Sequence, residues 1–360
     1  MEILVTIIAF ILIFGLLIFV HELGHFVVAK RNGVKVEEFA FGLPLLPKIF
    51  GIKRGETEYS IYPVPLGGFV KMLGEDGASK SSRSFAAKST GVRARILIAG
   101  VAMNFLLALA LLTVGFLFKM PPLVLCASDY PNASFENKIS ITAVTNLGPA
   151  KDAGIQAGDV IKKIDGTPVA CSKRVPETLS AAAGTPVALE LERDGVSRDV
   201  TVTPKPKGDA AAGQIGIAPR DEYKNLDYPW WEAPYLALIE SLALITATVG
   251  AILHVFATLF TQANVPVGVS GPVGIAKLTG YFVEQGALAM LRFVALLSLS
   301  LAVFNLLPIP ALDGGRLLFV IIERLRGKPV SAKTEQAIHT TGFFLLIAFI
   351  LVITYFDLTR

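Results

Sequence analysis

Apolar residues gather into long runs set apart by polar stretches. The first runs from Ile3 to about Ala29. A second, Ile96 to Phe118, has 23 residues and no charge. A third, Phe293 to Leu312, has 20 residues with Asn305 its one strongly polar member, and a fourth, Thr340 to Phe356, has 17. Runs of this length predict membrane-crossing helices. A fifth stretch, Tyr235 to Phe260, is less clean because it holds Glu240 and His254.

The loops between the runs orient them. Lys30–Arg95 carries 12 Lys/Arg against 6 Asp/Glu, and Arg316–His339 carries 5 against 2. Basic loops stay in the cytoplasm, so the termini and the central region are expected outside it. On this topology Tyr235–Phe260 cannot fully cross, and it reads as an interfacial or re-entrant helix. Tyr228-Pro-Trp-Trp231 beside it suits the headgroup level.

The central region, about Cys126 to Arg220, is polar and rich in Gly and Pro. Its "VALELERDGVSRDVTVTP" alternates like two strands joined at the turn "RDG". In the first basic loop, Glu58–Met72 also alternates. Pro63 and Pro65 each remove a ladder donor, which predicts an edge strand in a cytoplasmic-side β-hairpin.

Composition agrees with a membrane chain: of 360 residues, 53% are hydrophobic and only 17% charged, below the usual quarter. Mean hydropathy is +0.59. The net charge of +4 is mild, and no basic stripe points to nucleic acid. Glu2 occupies the place of a positive leader region and no small-residue cleavage site follows, so the first run reads as a retained span. Cys126 and Cys171 are the only cysteines. A disulfide and two separate buried residues fit them equally.

The first span holds the chemistry. His21-Glu22-Leu23-Gly24-His25 is H-E-x-x-H. On a helix the two histidines share a face and reach one Zn²⁺, with Glu22 beside it as general base. Ionisable groups in hydrocarbon are costly and usually functional. Catalytic zinc needs a third protein ligand, and His254, His339 and Asp313 are candidates. Asp313 fits best. It sits in "NLLPIPALDGGRLL" at the cytoplasmic end of the third span, level with His21 and His25, where Pro308 and Pro310 break the helix and Gly314-Gly315 allows a sharp turn.

With these motifs the chain resembles the site-2 proteases, the intramembrane zinc metalloprotease family (peptidase family M50), and within it the bacterial regulator-of-sigma-E protease branch. H-E-L-G-H and N-x-x-P-x-P-x-L-D-G-G carry the likeness. "GVAMN", Gly100–Asn104, resembles the family's G-x-x-x-N element, "AGIQAGDVIKKIDG" a PDZ domain, and "VSGPVGIAK", Val269–Lys277, the stretch before the third span. Two features depart: there is room for one PDZ-like module where some relatives carry two, and the family's G-F-G element stands here as Gly42-Leu43-Pro44.

The fold expected is a polytopic α-helical membrane protein of about four spans with an inserted β-rich PDZ-like domain. Its parts are an N-terminal membrane part at 1–122, the extracytoplasmic PDZ-like domain at 123–222, and an interfacial helix with the C-terminal membrane part at 223–360. The resemblance implies a multi-pass protein of the bacterial cytoplasmic membrane that cleaves single-pass transmembrane substrates, such as anti-sigma factors or remnant signal peptides. One Zn²⁺ would be held by His21, His25 and Asp313, with Glu22 catalytic. A helical substrate must be drawn out before attack. The strand of Tyr59, Ile61, Gly67 and Gly68 could hold it by strand addition; Asn305 is a second such candidate, as the resemblance implies. Asn104 reads as a polar helix-packing residue near the site. The PDZ-like module would bind a peptide or chain end. A catalytically silent PDZ-containing membrane adaptor is the alternative, and it would not need Glu22. A metal transporter would want more polar residues along the spans than Asn104 and Asn305.

Overall fold

In the computed structural model, residues 2–75, 79, 81–145, 148–205, 215–262 and 270–359 are described. Val269, the first residue of the "VSGPVGIAK" stretch, lies outside them. The chain begins with α1 (Glu2–Arg31), followed by β1 (Val36–Leu43), β2 (Phe50–Arg54), β3 (Thr57–Ile61), β4 (Val64–Met72) and α2 (Thr90–Leu117). Next come β5 (Ser134–Val144), α3 (Pro149–Asp152), β6 (Val160–Ile164), β7 (Thr167–Pro168), α4 (Arg174–Ala181), β8 (Val187–Arg193), β9 (Val196–Val202) and β10 (Ile217–Asp227). Five helices close the order: α5 (Ala233–Gln262), α6 (Pro272–Glu284), α7 (Ala287–Leu306), α8 (Asp313–Arg326) and α9 (Ala332–Thr359). They form two units, Met1–Gly115 with Leu244–Arg360, and Phe116–Ala243.

In the first unit, an apolar segment placed in hydrocarbon can satisfy its backbone only within itself, so the long runs become helices. α1 ends where Lys30 and Arg31 meet the negative helix terminus and Gly33 turns at φ 69°. Its inner face packs Ile13 and Leu17 against Val294 of α7. A four-stranded sheet in the order β2-β3-β1-β4 leans on the same helix. Phe39 of β1 stacks edge-on against Phe19 and Phe26. Phe41 fills the space beside Gly15, halfway along α1. Glu58–Met72 is two strands rather than one, because Pro63 interrupts the ladder. Only β4 is an edge. β3 is an inner strand, parallel to β1 and antiparallel to β2, so Tyr59 and Ile61 lie where no further strand can be added.

α5, expected as an interfacial or re-entrant helix, is one unbroken helix of 30 residues. Five helices among the described residues are long and apolar enough to cross a membrane: α1, α2, α5, α7 and α9.

The second unit is built on a six-stranded sheet whose main path runs β10-β5-β6-β8-β9. β8 alternates as its pattern predicts, burying Val187, Leu189 and Leu191. Asp194 and Gly195, both at positive φ, turn it into β9. Val175 and Leu179 of α4 cover the same core. Cys126 and Cys171 form a disulfide, which ties the segment after α2 to the start of α4. Lys173 Nζ adds a bond to the Leu125 carbonyl at 2.5 Å. From the other side the buried Glu240 carboxylate accepts the Leu123 N–H at 2.6 Å and the Tyr130 hydroxyl at 2.5 Å.

Candidate metal centre

Helical spacing puts His21 and His25 on one face of α1, and both are buried. The helix comes close to α2 because Gly24 has no side chain; a Cβ there would collide with the Ala99 backbone. α2 then lays Ile96, Gly100 and Asn104, each four residues apart, across the histidine pair. His25 Nδ1 donates to the Ile96 carbonyl at 2.8 Å. His21 Nδ1 lies 3.3 Å from Asn104 Nδ2. Both rings therefore turn Nε2 the other way, and the two Nε2 atoms are 3.2 Å apart.

Asp313 arrives from the far end of the chain. α7 stops at Leu306, and the proline-bearing segment after it doubles back. Gly314 and Gly315 make this possible, since a Cβ on either would strike the carbonyls of Leu307, Leu306 or Ile309. Ala311 takes φ 75°, uncommon for a residue with a side chain, and its N–H donates to His339 Nδ1 at 2.9 Å. Asp313 then opens α8 with Oδ2 at 3.0 Å from His21 Nε2 and 3.1 Å from His25 Nε2.

His21, His25 and Asp313 are the one group among the described residues that could hold a metal ion. They fit zinc. Two imidazole nitrogens and a carboxylate oxygen are zinc donors, and tetrahedral bonds of about 2.0–2.1 Å set ligands about 3.3 Å apart, close to the 3.0–3.2 Å seen. Room for the ion is left by Gly100, whose Cβ would lie only 2.8 Å from His21 Nε2.

The other residues singled out from sequence are placed variously. Glu22 has His25, His21, Asp313 and Arg316 as its charged surroundings. Gly68 passes beside it: a Cβ at Gly68 would touch Glu22 Cγ at 3.3 Å. Gly67 packs on Leu43. Asn305 donates to Leu301 in its own helix at 3.0 Å. His254 is exposed on α5, outside the metal group. His339 supports the Asp313 turn rather than the ion. The Ile96 carbonyl and the role of Gly100 were not found from sequence: a backbone acceptor leaves no residue signature, and a glycine in a span shows its purpose only once its neighbour is known.

The sequence profile of peptidase family M50 matches residues 9–349. A Clostridium perfringens chain is 39% identical over 97% of both chains. Zinc metalloprotease RasP of Geobacillus kaustophilus is 31% identical over 100% of this chain and 99% of its own. Regulator of sigma-W protease RasP of Bacillus subtilis is 29% identical over 99% and 98%. Among solved structures, the PDZ domain of an SdrC-like protein from Listeria monocytogenes aligns with 22% of this chain and 85% of that domain. Its identity is 20% and its TM-score 0.20, too low to assign the fold.

Proposed function

The chain belongs to peptidase family M50, and from that premise we propose that it is an intramembrane zinc metalloendopeptidase acting on transmembrane segments of other membrane proteins. The observation that carries this reading is the meeting, within 3.2 Å, of two histidines on an apolar helix with a carboxylate 292 residues away. Such a triad of donors has a cost in hydrocarbon that a bound cation offsets.

His21, His25 and Asp313 would hold the zinc. When bound, zinc supplies a Lewis acid that polarises a peptide carbonyl and makes water acidic enough to lose a proton near neutral pH. Glu22 takes that proton on its carboxylate and returns it to the leaving amide nitrogen. Gly100 keeps the space between the imidazoles clear. The Ile96 carbonyl holds the proton of His25 on Nδ1, so that Nε2 keeps its lone pair.

The substrate must present an extended backbone. β4 is the edge of its sheet and runs past Glu22 at Gly68. Strand addition there would replace the hydrogen bonds a substrate helix gives up. The chain is a multi-pass membrane protein. Its second unit is read as a PDZ-like module outside the cytoplasm that binds a peptide or chain end. The name of the Bacillus subtilis relative, a regulator of sigma-W protease, supports a role in regulated proteolysis of a membrane-anchored partner.

The test compares zinc content and cleavage of a model transmembrane substrate for wild type, Glu22→Gln and Asp313→Ala. Glu22→Gln should keep its zinc and lose about 10²-fold or more in cleavage. Asp313→Ala should lose the metal. A Glu22→Gln protein that keeps its zinc and cleaves like wild type would sink the protease reading, and a wild type that cleaves nothing would favour the silent adaptor.

A further inference from the structure

We infer that Asn104 is a positioning residue for His21: its side-chain oxygen accepts the Nδ1 proton and so leaves Nε2 free for the metal. The inference rests on the reading of His21, His25 and Asp313 as zinc ligands. Asn104 is fully buried in α2. Its Oδ1 has no hydrogen-bond partner among the described residues, and its amide nitrogen lies 3.3 Å from His21 Nδ1. Burying a polar atom without a partner is costly, so a buried amide held against a ligand ring calls for a use.

A neutral imidazole carries one proton. Once Nε2 is given to a cation, that proton is on Nδ1, and the atom opposite must accept it. For His25 the acceptor is the Ile96 carbonyl, which can do nothing else. For His21 it is an amide with a donor at one end and an acceptor at the other. A half-turn of the amide about its last side-chain bond exchanges Nδ2 for Oδ1 with almost no change of shape. The unpartnered oxygen is then spent on the His21 proton.

The Asn104 backbone is also tied to α7: its carbonyl accepts the Ser298 hydroxyl at 2.8 Å, and Ser298 is buried. α2 thus meets both histidines with one stripe of residues: a carbonyl at Ile96, an empty place at Gly100 and an amide at Asn104. A helix-packing asparagine needs none of this. It would pair with any neighbouring polar group, and replacing it with leucine would cost packing alone.

The experiment uses the full-length protein in nanodiscs. Zinc affinity is measured by chelator competition, with melting of the metal-free form as the folding control, for wild type, Asn104→Asp and Asn104→Leu. Histidine nitrogen spectra are recorded on the zinc-loaded wild type. Asn104→Leu should bind zinc about 10- to 100-fold more weakly, while Asn104→Asp, which can only accept, should bind within a few-fold of wild type. The spectra should place the His21 proton on Nδ1. Leucine binding as tightly as asparagine, with normal melting, overturns the inference. Should both variants fail to fold, the wild-type spectrum decides, and a His21 proton on Nε2 overturns it. A wild type that binds no zinc would instead remove the metal site itself, a separate outcome.

Discussion

At Gly100 a Cβ would stand 2.8 Å from His21 Nε2 and nearer still to that of His25. Alanine is the better helix former by about 1 kcal/mol, so Gly100→Ala should leave α2 intact or firmer while crowding the place between the rings. The expected outcome is a protein that melts no lower than wild type without metal and binds zinc at least about tenfold more weakly, a cost of about 1.4 kcal/mol. Elemental analysis after dialysis at fixed free zinc checks it. Undiminished zinc would show that the rings move aside and that Gly100 serves helix approach only, as Gly24 does. His21, Glu22, His25 and Asp313 could be read from sequence because ionisable residues in apolar runs are costly and stand out. Gly100 and the Ile96 carbonyl could not. The first acts through what it lacks and the second through backbone, and neither leaves a mark on residue type.

Among the elements, hydrophobic runs translated into helices directly, since periodicity and length suffice where the solvent is lipid. The strands were harder. Glu58–Met72 alternates throughout, yet Pro63 divides it, and β1 pairs with both halves from about 20 residues or more upstream, which no local pattern records. In the second unit the decisive contact is equally non-local. Asp159 is buried, takes the Gln156 N–H at 2.9 Å, and pairs with Arg193 of β8 through both oxygens at 2.5 and 2.8 Å. The Arg193 guanidinium holds the Asp159 carboxyl below its usual range. A carboxylate whose folded pKa is depressed stabilises the fold above its unfolded value of about 3.9, and that stabilisation fades as pH falls toward the folded value. The β6–β8 region should therefore lose protection from hydrogen exchange below about pH 4 in wild type. Asp159→Asn should weaken it by about 1–3 kcal/mol at pH 7 and flatten that acid dependence. An Asn variant with the same acid profile as wild type would assign the loss to other carboxylates.

For the whole molecule, the loop charges and the helix packing bear on one question, the course of the chain through the membrane. α1 and α7 run the same way. At one end Thr6 of α1 fills the space beside Gly280 of α6, just before α7, and at the other His21 and His25 meet Asp313, just after it. α9 runs back: His339 holds Ala311 at the metal end, and Asp357 accepts the N–H groups of Gly271 and Gly274 at the other. α2 also runs back, from Ile96 beside His25 to Asn104 beside His21. With that packing the chain should leave α2 and enter α7 on the same side, and the stretch between them should make no net crossing although α5 is long enough for one. The basic loops Lys30–Arg95 and Arg316–His339 both fall at the metal end, as cytoplasmic loops should. Both native cysteines are in the disulfide, so a single introduced cysteine gives one reactive thiol. Lys53→Cys and Ser331→Cys, all exposed positions like those that follow, should react with an impermeant reagent only in inside-out vesicles. Ser197→Cys and Gln285→Cys should react only in right-side-out ones. Gln285→Cys labelling together with Lys53→Cys would mean that α5 does cross. That would put α7 in the opposite sense to α1, which the approach of Asp313 to His21 and His25 does not allow.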